Sequence, residues 1–283
     1  MPGVMPSPDE PAPAGTLRLW GRTSSINVRK VLWTLQAVGV PFERIDAGLS
    51  FGVVTTPAYR AHNPNALVPL LQDGDFVLWE SNVIVRYLCM KYGAPTLATA
   101  AASAPADDAS ASLDVPSPEA KALRAVPMCA GTSGAAALSP EGATPCLGRP
   151  GAAAGHAPLY PADLQHRFDA ERWMDWQQTT LNRAGGPAFI QWIRTPAHER
   201  KPEVIAQSVA ATEPLLRLLD THLAQRRFMA GDALTMADIP IACEIHRWWG
   251  LPQPRPVLPH LERWWDTLRA HPASRGVLDQ PLA

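Results

Sequence analysis

A short turn rich in hydroxyl side chains holds the residue types in this chain that are best suited to chemistry. Ser24, Ser25 and Asn27 lie between a strand-like alternation, Leu17–Trp20, and an apolar run at helical spacing that ends at Gly39. Where a strand turns into a helix, backbone N–H groups are unpaired and face outward at the positive end of the helix dipole. Such a turn stabilises a thiolate, a carboxylate or a phosphate. The alternative interpretation is that one serine only caps the helix.

The composition of the 283-residue chain argues against several classes of protein. A formal net charge of −1 offers no basic field for nucleic acid or for an anionic membrane. The first residues show no secretory signal, and no apolar run approaches the roughly 20 residues of a membrane span. The four cysteines are scattered, which argues against a disulfide framework and against a metal site. We expect a soluble cytoplasmic protein with reduced thiols.

The first third of the chain predicts a small mixed sheet covered by helices. After the first strand and helix, an alternating segment from Pro41 to Asp46 predicts a second strand, and a short helix follows it. Two apolar runs about Asp73-Gly74 predict a hairpin. A further helix opens at Glu80-Ser81, with Ser81 as its predicted N-cap, and ends at Gly93. The order β-α-β-α-β-β-α is typical of an α/β domain, which we place at residues 16–93.

The remainder of the chain differs sharply from this domain. Residues 101–157 contain no Phe, Trp or Tyr and consist mostly of Ala, Ser, Pro and Gly, so we predict a disordered insert over residues 94–158. From Leu159 onward the apolar residues follow helical spacing, which predicts an all-helical domain over residues 159–283. Within it, the segment from Thr235 to Asp238 matches a capping box at the start of a helix. The proline-rich residues 1–15 are predicted to form a disordered tail.

Taken in order, these elements resemble a cytosolic glutathione transferase, and the resemblance covers residues 16–93 and 159–283. The segment Ser24-Ser25-Ile26-Asn27 is similar to the serine-type active-site loop of theta-, zeta- and nu-like bacterial members. Val68-Pro69 matches the family's cis-proline step. Glu80-Ser81-Asn82-Val83-Ile84 is similar to the acidic-Ser-x-Ala-Ile signature, with Val83 in place of Ala. The resemblance implies an α/β thioredoxin-like N-terminal domain followed by an all-α C-terminal domain.

The resemblance also implies how glutathione, the expected co-substrate, would be activated. Spacing as in theta- and nu-like members selects Ser25 as the hydroxyl that stabilises the thiolate, whereas spacing as in zeta-like members selects Ser24. Asn27 could donate a second hydrogen bond to the sulfur. The alternative for Asn27 is a polar residue in the first turn of the helix with no role in chemistry.

The rest of the tripeptide would lie along the sheet domain. The backbone of Val68, which precedes Pro69, is expected to pair with the cysteinyl unit. Glu80 is expected to bind the γ-glutamyl ammonium, and the helix that starts near Ser81 is expected to bind the γ-glutamyl carboxylate. Leu67 stands where many relatives have a basic or polar residue for the glycine carboxylate. The alternative ligands at that end are Asn65 and Asn63.

Side chains of the helical domain are expected to contact the second substrate, a small hydrophobic electrophile. The first long helix of that domain, predicted to end near Asn182, offers Arg172, Trp173 and Trp176. Tryptophans at helical spacing are more often part of a core, which is the alternative for both of them. Further candidates for this wall are Asn182, His246, Trp248 and Trp249.

Three functions are compatible with these residues. The first is a transferase that conjugates the glutathione thiolate to an electrophile, in keeping with a role in detoxification. The second is a glutathione-dependent disulfide or peroxide reductase, and the third is a non-catalytic glutathione-binding or regulatory module. The turn contains no cysteine, which argues against chemistry through a protein thiol. The resemblance implies a homodimer, and we expect no metal, nucleic-acid or membrane partner.

Overall fold

Four short strands form one mixed sheet in the N-terminal part of the chain. The computed structural model describes residues 7–12, 14–93 and 158–282. The strands are β1 (Leu17–Trp20), β2 (Phe42–Ile45), β3 (Leu70–Asp73) and β4 (Phe76–Trp79). Along the sheet they lie in the order β2-β1-β3-β4, with β1 parallel to β2 and antiparallel to β3, which is antiparallel to β4.

The alternation of β1 directs its side chains to two cores. Leu17 and Leu19 lie in the main core, which is shared with the helices of both halves of the chain. Trp20 lies on the other face of the sheet, in a smaller core that includes Tyr59. The indole N–H of Trp20 donates to Oε1 of Gln72 at 2.7 Å, so its polar atom is satisfied. The sheet therefore carries helices on both faces.

Three helices belong to this sheet domain, and their bounds agree with the apolar spacing. The first helix ends at Val38, and the residue that follows it, Gly39, has a φ of 69°, which a residue without a Cβ atom readily adopts. The peptide bond between Val68 and Pro69 is cis, as predicted. The helices are α1 (Ile26–Val38), α2 (Pro57–His62) and α3 (Ser81–Tyr92).

The C-terminal half is built from helices in the part that the structure describes. The predicted first long helix extends past Asn182. Two π-helical turns, Gln177–Leu181 and Ile190–Arg194, continue the helical path as far as Arg194. No helix among the described residues is long and apolar enough to cross a membrane. The helices are α4 (Leu164–Trp176), α5 (Asn182–Phe189), α6 (Pro202–Leu223), α7 (Asp238–Trp249) and α8 (Pro259–Arg269).

Two predictions at the edges of elements are corrected by the structure. Residues 7–12 lie against the sheet rather than in a disordered tail, because the Gln72 amide donates to the carbonyl of Pro8 at 2.6 Å and Arg18 donates to that of Glu10 at 3.0 Å. Ser81 is the first residue of α3 and not its N-cap, a position that Glu80 occupies. The predicted disordered insert, residues 94–158, lies outside the described residues except for residue 158 and stays a prediction.

Candidate active site

A cleft of about 320 Å³ lies at the N-terminus of α1, between the sheet domain and the helical half of the chain. One wall is the hydroxyl-rich turn with the start of α1. The opposite wall comes from α5, the turn that follows it, α7 and the C-terminal segment. The residues that line the cleft are Arg22, Ser24, Ser25, Ile26, Asn27, Arg29, Asn182, Gly186, Phe189, Ile190, Arg194, Cys243, His246, Arg247 and Leu282.

The serine turn presents two hydroxyl groups to this cleft. Ser25 is the N-cap residue of α1, but its side chain makes no capping hydrogen bond, and it is only 8% exposed. Ser24 is half-buried beside it. The turn approaches the helix closely at Gly21, where a Cβ atom would lie 2.4 Å from Cγ2 of Val28, so only glycine fits there. Both hydroxyls thus remain available at the positive end of α1.

Asn27 connects this turn to the start of α3. Its Oδ1 accepts a hydrogen bond from the Ser81 hydroxyl at 3.2 Å. Glu80, the preceding residue, makes no capping hydrogen bond and has a φ of 74°, a conformation that non-glycine residues rarely adopt. Such a residue persists only where its surroundings hold it, and often lies at a functional site. The structure therefore brings the first turns of α1 and α3 together, both without a side-chain cap.

The loop before β3 lies outside the residues that line the cleft. The side chain of Leu67 is 65% exposed, and its carbonyl accepts from the Tyr59 hydroxyl at 2.7 Å and from the Asn63 amide at 2.8 Å. Oδ1 of Asn63 accepts from the backbone N–H of Asn65 at 3.1 Å. Asn63 is therefore engaged in holding the loop, while Asn65 is exposed.

A buried lysine fixes α1 against the helical half. The Nζ atom of Lys30 donates to Oε1 of Gln177 at 2.8 Å, to Oε1 of Gln178 at 3.0 Å and to Oδ1 of Asn82 at 3.2 Å. Burial lowers the pKa of Lys30 to about 8, and the charge of Glu244 opposes that change. Because the three amide oxygens come from α3 and from the turn after α4, this network sets the position of the serine turn relative to the opposite wall.

Two arginines of the cleft are held by internal partners. Nε of Arg29 donates to the carbonyl of Thr23 at 2.7 Å, and its Nη2 donates to that of Pro281 at 2.7 Å. These bonds tie the serine turn to the C-terminal segment. Arg247 forms a buried ion pair with Glu244 and donates to Oδ1 of Asn182 at 2.9 Å. Both guanidinium groups therefore serve to position the walls.

The three candidates for the second-substrate wall from the first long helix, Arg172, Trp173 and Trp176, do not line the cleft. Arg172 is exposed and paired with Asp169. Trp173 lies in the core, where its ring meets Trp176 with centroids 5.3 Å apart. Asn182 and His246 do line the cleft, whereas Trp248 and Trp249 do not. The other residues of this wall were missed, because apolar spacing along a helix gives no signal for a pocket.

Burial keeps two titratable groups of the cleft uncharged at neutral pH. It raises the pKa of the Cys243 thiol to about 12, so this cysteine is not a nucleophile. Burial, assisted by the charge of Arg29, lowers the pKa of His246 to about 4. Nε2 of His246 lies 2.9 Å from the carbonyl of Gln280, which can only accept, so the imidazole carries its proton on Nε2. Within the described residues, no group of three or more His, Cys, Asp or Glu could hold a metal ion.

The low pKa of His246 predicts a loss of stability in acid. Its folded pKa of about 4 lies below the ordinary value, so the unfolded chain binds the extra proton first as the pH falls. The free energy of unfolding should therefore fall between pH about 6.5 and 4, by at most about 3 kcal/mol from this group. In His246→Gln, whose amide can still donate to Gln280, that part of the acid dependence should disappear in urea unfolding measured at pH 7 and 4.5. An unchanged difference between the two pH values would contradict this assignment.

The chain resembles known proteins along almost its whole length. Residues 15–89 match the family model for the glutathione S-transferase N-terminal domain, and residues 183–272 match the family model for its C-terminal domain. The glutathione S-transferase GstB of Escherichia coli (strain K12) is 32% identical over 269 residues, which cover 94% of this chain and 100% of that protein.

Solved structures agree with these matches. The theta class glutathione S-transferase from the citrus canker pathogen Xanthomonas axonopodis pv. citri, with glutathione bound, is 34% identical and covers 97% of this chain and 100% of its own, with a TM-score of 0.69. The glutathione transferase F7 from Populus trichocarpa has a TM-score of 0.66 at 19% identity, over 92% of this chain and 97% of its own, which is a likeness of fold alone. The predicted thioredoxin-like sheet domain followed by a helical domain is confirmed. The chain belongs to the glutathione S-transferase family.

Proposed function

We propose that this protein conjugates the thiolate of glutathione to a small electrophile. The observation that carries the proposal is that Ser24 and Ser25 line the cleft at the start of α1. The hydroxyl of Ser25, the N-cap residue, makes no capping hydrogen bond to the helix. The glutathione-bound relative from Xanthomonas supports the choice of co-substrate. In the reaction the thiol proton passes to solvent, the sulfur forms a bond to the electrophilic carbon, and the leaving group departs with its electron pair.

Ser25 is the residue that we assign to thiol activation. A free thiol has a pKa of about 8.5, so most of it is protonated at neutral pH. A hydroxyl donor at a helix N-terminus favours the thiolate, and lowering the pKa by two units requires about 2.7 kcal/mol of such preference. Ser25 is the N-cap residue and its hydroxyl is unused by the helix. Asn27, whose Oδ1 is engaged by Ser81, keeps its amide N–H groups for the sulfur.

The γ-glutamyl end of glutathione would lie at the start of α3. The first turn of this helix lacks a side-chain cap, which leaves backbone N–H groups for a carboxylate, and the Ser81 hydroxyl lies beside them. Glu80 is exposed there and would pair with the ammonium group. The backbone of Val68, ahead of Pro69, would meet the cysteinyl unit. Asn65 and Leu67 would then lie toward the glycine end.

The electrophile would enter from the helical wall. Phe189 and Ile190 offer an apolar surface there, beside Asn182. We place the second substrate against these residues rather than against Arg172, Trp173 and Trp176, which do not line the cleft. The family resemblance also leads us to propose a cytoplasmic homodimer with a role in detoxification, and light scattering at micromolar concentration tests the dimer.

A three-substrate panel tests the proposed reaction. The purified protein is assayed with glutathione and either 1-chloro-2,4-dinitrobenzene, cumene hydroperoxide or 2-hydroxyethyl disulfide. We expect turnover of the aryl halide above the uncatalysed rate. Turnover of only the peroxide or the disulfide would assign the protein to reduction instead. Glutathione binding without any turnover would assign it to the non-catalytic binding modules.

Loss of the Ser81 hydroxyl should weaken glutathione binding. Ser81→Ala removes a hydroxyl at the start of α3 and its hydrogen bond to Asn27, which should cost about 1–2 kcal/mol of binding free energy. Isothermal titration calorimetry with glutathione measures the Kd. Thr221→Ala, which removes an exposed hydroxyl on α6, is the matched control and should leave the Kd unchanged. Equal Kd values for wild type and Ser81→Ala would remove Ser81 from the binding site.

A further inference from the structure

The cleft is strongly biased towards positive charge. Four arginines line it, and no Asp or Glu is among the lining residues that the structure describes. His246 adds no charge at neutral pH, because burial lowers its pKa to about 4. An electrophile that is only apolar needs no such charge. Because an unpaired charge is costly to bury, a guanidinium group enclosed by the cleft needs a partner, either within the protein or on a bound ligand.

Two of the four arginines have hydrogen-bond or ion-pair partners within the described part of the protein, and two do not. Arg29 and Arg247 have the carbonyl and carboxylate partners described above. Among the described residues, Arg22 and Arg194 have neither an ion pair nor a hydrogen-bond acceptor. Nε of Arg22 is buried without a hydrogen-bond partner, and the Arg194 guanidinium lies over the ring of Phe189, 5.3 Å from its centroid.

The two unpaired arginines, Arg22 and Arg194, line the same cleft from opposite walls. Arg22 precedes the serine turn and Arg194 ends the helical turn Ile190–Arg194 on the opposite wall. Burial, and then the charge of Arg194, lowers the pKa of Arg22. The Arg22 guanidinium packs closely against the backbone at Gly48, where a Cβ atom would lie 2.7 Å from its Nη1. Two like charges that line one cleft, with no acceptor for either guanidinium among the described residues, form a site that an anion would complete.

We propose that Arg22 and Arg194 bind an anionic group, a carboxylate in the simplest case, on the electrophile, so that the preferred second substrates are acidic. This inference rests on the proposed conjugation, because it names the substrate class of the same cleft. Guanidinium groups bind carboxylates through paired N–H donors, and two of them also fix the orientation of the ligand. A carboxylate held there would place the remaining part of a short electrophile against Phe189 and towards the serine hydroxyls.

Glutathione itself is a less suitable partner for this pair. In our assignment its γ-glutamyl charges are met by Glu80 and by the start of α3, and neither Glu80 nor Ser81 lines the cleft. Arg194 belongs to the helical wall, opposite the sheet domain on which the tripeptide lies in our assignment. The pair could also act by stabilising the thiolate, and that role makes a different prediction, because it would affect all electrophiles equally.

Two electrophiles of nearly the same size and shape, one anionic and one neutral, separate these roles. In both, the thiolate displaces chloride from the ring: 4-chloro-3-nitrobenzoate gives S-(4-carboxy-2-nitrophenyl)glutathione, and 4-chloro-3-nitrobenzamide gives the carboxamide counterpart. Calorimetry with the two conjugates measures binding independently of turnover. We expect wild type to bind the carboxylate conjugate at least about tenfold more tightly than the amide. In Arg22→Met and in Arg194→Met this preference should fall below about twofold, with the Kd for glutathione unchanged.

Exposed Arg217 on α6, paired with Glu213, provides the control Arg217→Met, which should keep the full preference. Values of kcat/KM for the two chlorides, corrected for uncatalysed rates, should follow the same pattern. Equal binding of both conjugates by wild type would overturn the inference while leaving the proposed function intact. A loss of glutathione affinity in both variants would overturn it by making the pair a glutathione site. Equal losses with both chlorides and a raised thiol pKa would overturn it in favour of thiolate stabilisation. A protein that binds neither conjugate nor glutathione would instead refute the proposed function.

Discussion

Replacement of Asp238 by alanine is expected to destabilise the protein by about 3–5 kcal/mol. Asp238 is fully buried at the start of α7. Its Oδ1 accepts from the backbone N–H of Met229 and from the indole of Trp264, both at 2.8 Å, and its Oδ2 accepts from the N–H of Thr235 at 3.0 Å. Alanine would leave these three donors buried without an acceptor. Each unsatisfied donor costs about 1–3 kcal/mol.

The loss should be visible as a lower melting temperature. For a chain of this size, such a change corresponds to a fall of roughly 10 °C. Asp266→Ala is the control, because that carboxylate on α8 is 74% exposed and should change stability by less than about 0.5 kcal/mol. A melting temperature for Asp238→Ala close to that of wild type would show that the helix start does not depend on the carboxylate.

The same carboxylate shows how far local patterns predict the fold. The segment from Thr235 to Asp238 indicated a helix start because its hydroxyl and acidic residues have capping spacing, and the structure places α7 there. The strand around Trp20 was found from alternation, the strand around Leu71 from two apolar runs about an Asp-Gly turn, and the cis bond at Val68-Pro69 from resemblance. Alternation and spacing report which face of an element is buried, and burial dominates the folding of short elements.

Boundaries and long-range contacts were harder to predict. Residues 7–12 look like a solvated tail because they are rich in proline and polar groups, yet their carbonyls satisfy buried Arg18 and Gln72 of the sheet. Ser81 has a capping side chain but lies one residue inside α3, since Glu80 adopts the positive φ that begins the helix. Such outcomes depend on tertiary partners, which no local pattern contains.

The two walls of the cleft also differ in how much of them the sequence alone can predict. Three residues of its sheet-domain wall, Ser24, Ser25 and Asn27, lie in one continuous segment, so the sequence alone groups them. Its helical wall is assembled from residues far apart in the chain, such as Arg194 and Leu282, so their meeting depends on how the helices pack. The tryptophans of α4 drew attention because of their size, but large aromatic side chains fill cores as readily as pockets.

Loss of the Ser25 hydroxyl should lower kcat/KM for conjugation by about tenfold to a thousandfold. The expected effect on stability is small, because the side chain makes no capping hydrogen bond to α1. Loss of activity in Ser25→Ala therefore cannot be ascribed to unfolding, and an unchanged melting temperature checks this. The measurement is the steady-state rate with glutathione and 1-chloro-2,4-dinitrobenzene at several pH values.

The pH dependence of that rate distinguishes thiol activation from substrate positioning. If Ser25 stabilises the thiolate, Ser25→Ala should shift the rising limb of the pH–rate profile to higher pH, and activity should recover in alkali as the thiol ionises unaided. A variant that only misplaces the electrophile would lose rate at every pH. Ser24→Ala is the matched comparison, since both hydroxyls face the cleft. A shifted profile in Ser24→Ala with a normal one in Ser25→Ala would assign the activating hydroxyl to Ser24, because only the group that contacts the sulfur changes the ionisation of the thiol.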